Sequence, residues 1–211
     1  MQFDLQGADQ SQAYRLLASV VVPRPIALVT SLGPDGAVNA APFSFFNLMG
    51  SSPPVVALGI ADRHADTPKD TRANIERTGE FVVNLVCEAL AEAMNVCGID
   101  FPAGESELDA ARLTTLPSAL VSTPRLAEAP AHLECRLHSV VSIGDNRIVL
   151  AEVVCLHVRD EFLDGAPARP RVRTEALGLI GRMHGGGWYA RTTDLFDLPR
   201  IPYEEWRKEH G

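Results

Sequence analysis

The stretch from Pro23 to Val56, PRPIALVTSLGPDGAVNAAPFSFFNLMGSSPPVV, decides how this chain is read. Ile26 to Ser31 is apolar and β-branched, and Gly33-Pro34-Asp35-Gly36 follows as a turn, because Pro presets φ and Gly accepts φ > 0. Val38 to Pro42 then resumes an extended chain. Ala40 to Asn47 alternates small, aromatic and hydrogen-bonding side chains before Pro53-Pro54 restarts an apolar strand, Val55 to Ile60. Two readings fit these residues. The first is a three-strand meander whose Phe residues fill a core; the second is a hairpin followed by a loop rich in small residues and hydroxyls, suited to a flat polar cofactor.

With 211 residues and 46% apolar content, the chain has enough material for one sizeable core, and a single domain over residues 1–211 is expected. The formal charge of -8 repels nucleic acid and anionic membrane surfaces. No signal-peptide pattern opens the sequence, and no apolar run approaches the roughly 20 residues of a bilayer span. A soluble cytoplasmic protein is the expectation. Cys87, Cys97, Cys135 and Cys155 lack C-x-x-C spacing and read as reduced, structural thiols.

Further along, Thr71 to Arg77 reads as a short helix capped by Asp70, Phe81 to Leu85 as a strand, and Cys87 to Val96 as a second helix. Asp100 to Pro130 carries four prolines and reads as an excursion over the domain surface, with a helical turn at Glu107 to Arg112. From His132 to Ile143 the pattern alternates, with Leu133, Cys135 and Leu137 on one face and His132, Glu134, Arg136 and His138 on the other. After Gly144-Asp145-Asn146, the run Ile148 to Val158 is apolar enough for burial on both faces, so Glu152 within it would need a partner.

The order PRPIALVTS, G, N-x-AP-x-S-x-F, then PP and a strand resembles the opening of the flavin reductase-like family, whose fold is the FMN-binding split β-barrel. KDTRANI at Lys69 to Ile75, FVVNLV at Phe81 to Val86, LEC at Leu133 to Cys135, AEVV at Ala151 to Val154 and IGRMHGGGWYAR at Ile180 to Arg191 extend the likeness along nearly the whole chain. The resemblance implies a mainly β fold with short helices, bound FMN, a possible NADH or NADPH donor and a homodimer.

FMN requires a phosphate site and an edge for the isoalloxazine pyrimidine. A phosphate of roughly -1.5 to -2 charges calls for a cation, hydroxyls and amides at a helix start. Lys69, Asp70 and Thr71 supply that set, and Lys69 is one of only two lysines beside 17 arginines. A solvated helix cap is the plainer alternative. For the ring, Ser44 and Asn47 offer matching donors and acceptors, Ala41, Pro42 and Phe43 permit close backbone approach, and Thr30 and Ser31 match the hydroxyl pair of the family's motif. Those hydroxyls could instead close local turns.

Met183-His184-Gly185-Gly186-Gly187 resembles the oxyanion loop of α/β-hydrolases. That loop should lie early and precede a G-x-S-x-G elbow, whereas 24 residues follow Gly187 and no elbow exists. In the flavin reductase-like family this segment lies near the cofactor and often reaches the partner subunit's flavin. This makes His184 a candidate catalytic group and Tyr189 a candidate contact; a surface histidine is the alternative for His184. The histidines are scattered, His64-Ala65-Asp66 is too sparse for a metal, and no metal site is expected. Shorter free-flavin reductases of the superfamily carry a Gly-Asp-His turn where this chain has Gly144-Asp145-Asn146. The expected function is an FMN-dependent oxidoreductase, NAD(P)H-linked, serving a small acceptor; the alternative is a noncatalytic FMN-binding module.

Overall fold

In the computed structural model, which describes residues 1–62, 68–102 and 105–210 apart from the Glu209 side chain, the opening stretch folds as two successive hairpins. Helix α1 (Gln10–Val20) precedes strands β1 (Arg24–Pro25), β2 (Ala27–Leu32), β3 (Val38–Phe43), β4 (Phe46–Ser51) and β5 (Pro54–Ala61). Helix α2 (Asp70–Thr78), β6 (Glu80–Leu85), α3 (Ala91–Val96) and α4 (Glu107–Ala111) follow. Next come β7 (Thr115–Leu116), β8 (Arg125–Leu126), the long β9 (Ala131–Ile143) and β10 (Asn146–Val158), then β11 (Leu163–Asp164) and β12 (Arg171–Val172). The chain ends in β13 (Ile180–Arg182), β14 (Tyr189–Arg191) and α5 (Tyr203–His210).

The β2–β3 turn forms as its residues dictate. Gly36 takes φ +82°, a left-handed conformation that glycine adopts without a Cβ penalty. The Asp35 carboxylate accepts the Ala37 amide at 3.0 Å. Seven strands form one antiparallel sheet in the order β3-β2-β6-β9-β10-β5-β4. Its two edge strands, β3 and β4, are consecutive in the chain and are joined by Ser44 and Phe45 alone. Phe43 to Phe46 spans about 11 Å at full stretch, so the sheet must curl until its edges meet. They meet without pairing to each other, and the barrel is split there.

Of the two readings of Ala40 to Asn47, the seam bears out the meander whose Phe residues fill a core, with only Ser44 and Phe45 outside the strands. Phe43 and Phe46 both point into the barrel core with Ala27, Val29, Leu58 and Phe81, which draws β4 onto β5. Close approach is possible because Gly59 has no Cβ; one would stand 3.0 Å from Phe45 Cβ. Phe81 is fully buried, and its truncation to Ala would cost about 3–5 kcal/mol. A second cluster lies outside the sheet, where Ile26, Leu28, Met94, Leu108, Leu126 and Ile180 pack together. Strand β2 therefore buries both faces.

Other expectations are also revised. Helix α2 begins at Asp70 with Lys69 in the capping position and no side-chain cap. Cys87 to Val96 is not one helix: Cys87 bridges to Leu179, Glu88–Leu90 forms a 3-10 turn, and the α-helix starts at Ala91. Helix α1 had no sequence counterpart in the reading above. The Glu107 turn forms as expected. Strand β9 keeps its inward Leu133, Cys135 and Leu137, but outward His132 and Glu134 are buried as well. The excursion covers them, with the Ala119 and Leu120 amides donating to the Glu134 carboxylate. On β10 only Val149 and Ala151 are buried, and Glu152 is exposed, so no buried partner is required. His64, Ala65 and Asp66 lie outside the described residues.

Candidate cofactor site at the barrel seam

Ser44 occupies the seam between β3 and β4. It lines a cavity of about 150 Å³ with Pro42, Phe43, Asn95, Arg182 and Tyr189. On the other side it lines a cavity of about 510 Å³ with Arg24, Asn47, Met49, Ile143 and Asn146. Arg24 orients it: the guanidinium Nε donates to Ser44 Oγ at 3.3 Å. Its remaining nitrogens donate to the carbonyls of Ala18 and Val21 at 2.8 Å and of Met183 at 3.2 Å. Arg24 is 6% exposed, so one buried cation joins the end of α1, the seam and the Gly-rich segment.

Along the same strand, Lys69 Nζ lies 5.9 Å from the centroid of the Phe43 ring, next to Ser44, within reach of its π-face. Asn39 donates to Thr71 Oγ1 at 3.1 Å. The first turn of α2 leaves backbone amides without intrahelical partners and places the positive end of the helix dipole there. Arg72 is occupied elsewhere, pairing with Asp62 at 3.4 Å. Asp70 is exposed beside Lys69, and Thr71 is buried under Asn39. As the last strand of the sheet, β3 also has one row of amides and carbonyls outside the ladder. Lys69, the α2 amides, Phe43 and Ser44 thus follow one strand edge, passing Ala41 and Pro42.

Not every expected residue joins this edge. Thr30 and Ser31 are fully buried; Thr30 Oγ1 donates to the Pro124 carbonyl at 2.7 Å, and Ser31 Oγ accepts from Asn74 at 3.2 Å. They hold the excursion and α2 in place, a structural role reaching far along the chain rather than the local turns considered above. Asn47 is exposed on the 510 Å³ side, accepting the Leu48 amide at 2.8 Å. His184 is exposed and stacks on Trp188 with ring centroids 6.2 Å apart, away from the two seam cavities. Tyr189 does reach the smaller cavity, carried by β14 and covered by Arg182, whose guanidinium lies 4.8 Å from the ring centroid. Gly181 lets this segment close on β1, since a Cβ there would come within 2.7 Å of Pro23 Cβ.

Sequence reasoning passed over Arg24, Asn39 and Asn146. The first two stand inside the quoted PRP and N-x-AP motifs, where the signal lay unweighed. Asn146, in the Gly144 to Asn146 turn noted above, stands on the wall of the 510 Å³ cavity.

A barrel split beside a serine, with a helix start at the far end of the same edge strand, defines a flavin reductase-type split β-barrel. Residues 19–172 match the flavin reductase like domain, and the chain belongs to the flavin reductase-like family, a family of flavin-linked oxidoreductases. A protein of Deinococcus radiodurans is 46% identical over 211 residues, covering 98% of this chain and 92% of its own. The 2-nitrobenzoate 2-nitroreductase NbaA of Pseudomonas fluorescens superimposes with a TM-score of 0.86 at 37% identity, over 96% of this chain and 98% of that one. Nitrilotriacetate monooxygenase component B of Bacillus cereus gives 0.86 at 30% identity, over 94% and 98%. Among the described residues, no helix is long and apolar enough to cross a membrane.

Proposed function

We propose that the protein is a homodimeric, cytoplasmic FMN-dependent oxidoreductase, one domain over residues 1–211, which takes hydride from NADH or NADPH and passes electrons to a small acceptor. The observation that carries this reading is the seam: Ser44, fixed by Arg24, at the end of the β3 edge, Lys69 reaching the adjacent Phe43, and the first turn of α2 held to Asn39 at the strand's other end. The donor set fits FMN. Lys69 and the α2 amides would hold the phosphate, with Asp70 and Thr71 shaping that turn through their backbone. Ser44 and the free edge around Ala41 to Phe43 would hold the pyrimidine, and Tyr189 would close the ring's face. Bound flavin supplies hydride transfer at N5, and the protein contributes position and polarity.

Neither the donor nor the acceptor needs a second nucleotide-binding fold, because the 510 Å³ cavity beside Ser44 has room for a planar ring. That cavity is open and apolar, with Met49 57% and Ile143 59% exposed on its rim. A second copy of the chain covering this rim would complete the pocket, and the exposed tip His184 to Trp188 would then face the partner's flavin. The test is the visible spectrum of the purified protein and anaerobic titration with NADH and NADPH, followed by turnover with free flavin, oxygen and 2-nitrobenzoate. Flavin that binds but is never reduced by either nucleotide would leave a noncatalytic FMN module in its place.

A further inference from the structure

Strands β9 and β10 pair so that Cys155 stands directly opposite Glu134 and His157 directly opposite His132. The four residues form two adjacent cross-strand pairs on one face of the ladder. A register shift between Val153 and Cys155 marks a bulge, the device that re-aims side chains at one end of a strand. Cys155 Sγ lies 3.5 Å from His157 Nε2. The same nitrogen lies 2.5 Å from Glu134 Oε1. All three donor atoms fall within 4.8 Å of one another.

Hydrogen bonding engages this arrangement only in part: His157 Nε2 pairs with Glu134, and the Cys155 thiol is a weak donor. His157 Nε2 carries either one proton or one lone pair. Protonated, it donates to Glu134 and offers the Cys155 thiol no acceptor. Unprotonated, it can accept from the thiol but confronts the carboxylate with a second lone pair. A cation in the centre would engage all three groups at once, because imidazole nitrogen, thiolate and carboxylate then direct electron pairs to one point.

We propose that Glu134, Cys155 and His157 form a binding site for a thiophilic divalent cation, with zinc the ion that best matches one sulfur, one nitrogen and one oxygen donor. Zinc holds such ligands at about 2.0–2.3 Å in a tetrahedron, which spaces donors about 3.2–3.8 Å apart. The Sγ to Nε2 distance of 3.5 Å already fits, and the Nε2 to Oε1 separation of 2.5 Å would have to open by about 1 Å. The thiol proton leaves, so loading releases protons and strengthens as pH rises. Cys155 and His157 are partly exposed, leaving the fourth vertex to water.

The second layer is already in place. The Ala119 and Leu120 amides, each at 2.6 Å, fix the two oxygens of the fully buried Glu134, the kind of support that orients metal-binding carboxylates. Beside them His132 donates Nε2–H to the Leu126 carbonyl at 2.6 Å. Its buried Nδ1 is left with a lone pair and no partner among the described residues. Asn146 and Cys155 are nine residues apart on β10, about 30 Å along the strand, which separates this site from the flavin seam. The spacing of histidines in the sequence gives no sign of it, because the ligands come from two strands.

The test uses the full-length flavin-containing protein, stripped with chelator and then loaded with Zn²⁺. Elemental analysis after dialysis is expected to find about one zinc per chain, and zinc K-edge absorption to find one sulfur neighbour. Cys155→Ser and His157→Ala should each weaken zinc at least about tenfold while flavin absorbance and far-UV dichroism hold. Cys87→Ser and the exposed His138→Ala should leave binding unchanged. Zinc lost on dialysis, or zinc binding that survives both site variants, overturns the proposal. Should those variants fail to fold, Co²⁺ added to the wild-type protein gives the same decision. Thiolate-to-cobalt charge-transfer absorption in the difference spectrum supports the site, and its absence overturns it.

Discussion

The Arg24 guanidinium donates to Ser44 Oγ across the barrel seam at 3.3 Å while also donating to the carbonyls of Ala18, Val21 and Met183. A buried fork of this kind has no equivalent in lysine, whose single ammonium cannot reach four acceptors in one plane. Arg24→Lys should therefore lower stability by about 2–3 kcal/mol, as charged hydrogen bonds of about 1.5–3 kcal/mol are only partly replaced. Flavin retention should fall about tenfold as Ser44 loses its orientation. Urea denaturation and flavin release on dilution read the two effects separately. Lower stability with unchanged flavin affinity would make Arg24 a scaffold residue with no influence on the cofactor.

Lys69→Ala should weaken FMN far more than riboflavin, because only FMN presents a phosphate to the start of α2. One charge-assisted hydrogen bond of about 1.5–3 kcal/mol corresponds to a loss of roughly ten- to a hundredfold. Thr71→Ala should do less than Lys69→Ala, since Thr71 is buried beneath Asn39 and acts through it. Flavin fluorescence titration with both ligands checks the ranking. Equal weakening of FMN and riboflavin by Lys69→Ala would remove Lys69 from the phosphate site.

Much of this edge was legible in the residues themselves. The Gly33 to Gly36 turn, the β2–β3 hairpin and the inward face of β9 follow from turn chemistry and alternation, which are local rules. Closure of the barrel was legible through the family resemblance and holds, but not from periodicity, because it depends on Phe43 and Phe46 both turning inward around a two-residue bend, a tertiary outcome that no period encodes. Thr30 and Ser31 misled for a related reason. Their hydroxyls look the same in sequence whether they meet a ligand or, as here, Pro124 and Asn74 far along the chain. Glu134, Cys155 and His157 become neighbours only through β9–β10 pairing, so the cluster had no spacing to betray it.

The four thiols should divide into two classes. Cys97 and Cys135 are buried, and burial pushes each pKa from 9.0 to about 12, with Glu107 and Glu134 respectively adding to the rise. That shift cuts the thiolate fraction about a thousandfold at neutral to mildly alkaline pH. In chelator-treated native protein at about pH 8, Ellman's reagent should therefore titrate only Cys87 and Cys155. Cys155 should be the slower, since burial and Glu134 raise its pKa as well. Cys97 and Cys135 should react on unfolding, or as pH approaches 12. A third thiol reacting rapidly in the native protein would contradict this burial pattern.

Dimerisation and cofactor retention should fail together when the rim of the larger seam cavity is charged. Met49 lies on the edge strand β4 and Ile143 at the end of β9; both are more than half exposed and both line the cavity beside Ser44. An apolar edge strand left open invites pairing with another chain, and covering it would convert an open groove into an enclosed pocket. The double variant Met49→Glu, Ile143→Glu changes no contact of the buried core, so each protomer should keep its fold. Sedimentation should show a shift from dimer towards monomer at micromolar concentration, with flavin absorbance lost in parallel. A variant that remains dimeric and fully flavinated would place the subunit interface elsewhere and leave the 510 Å³ cavity open to solvent.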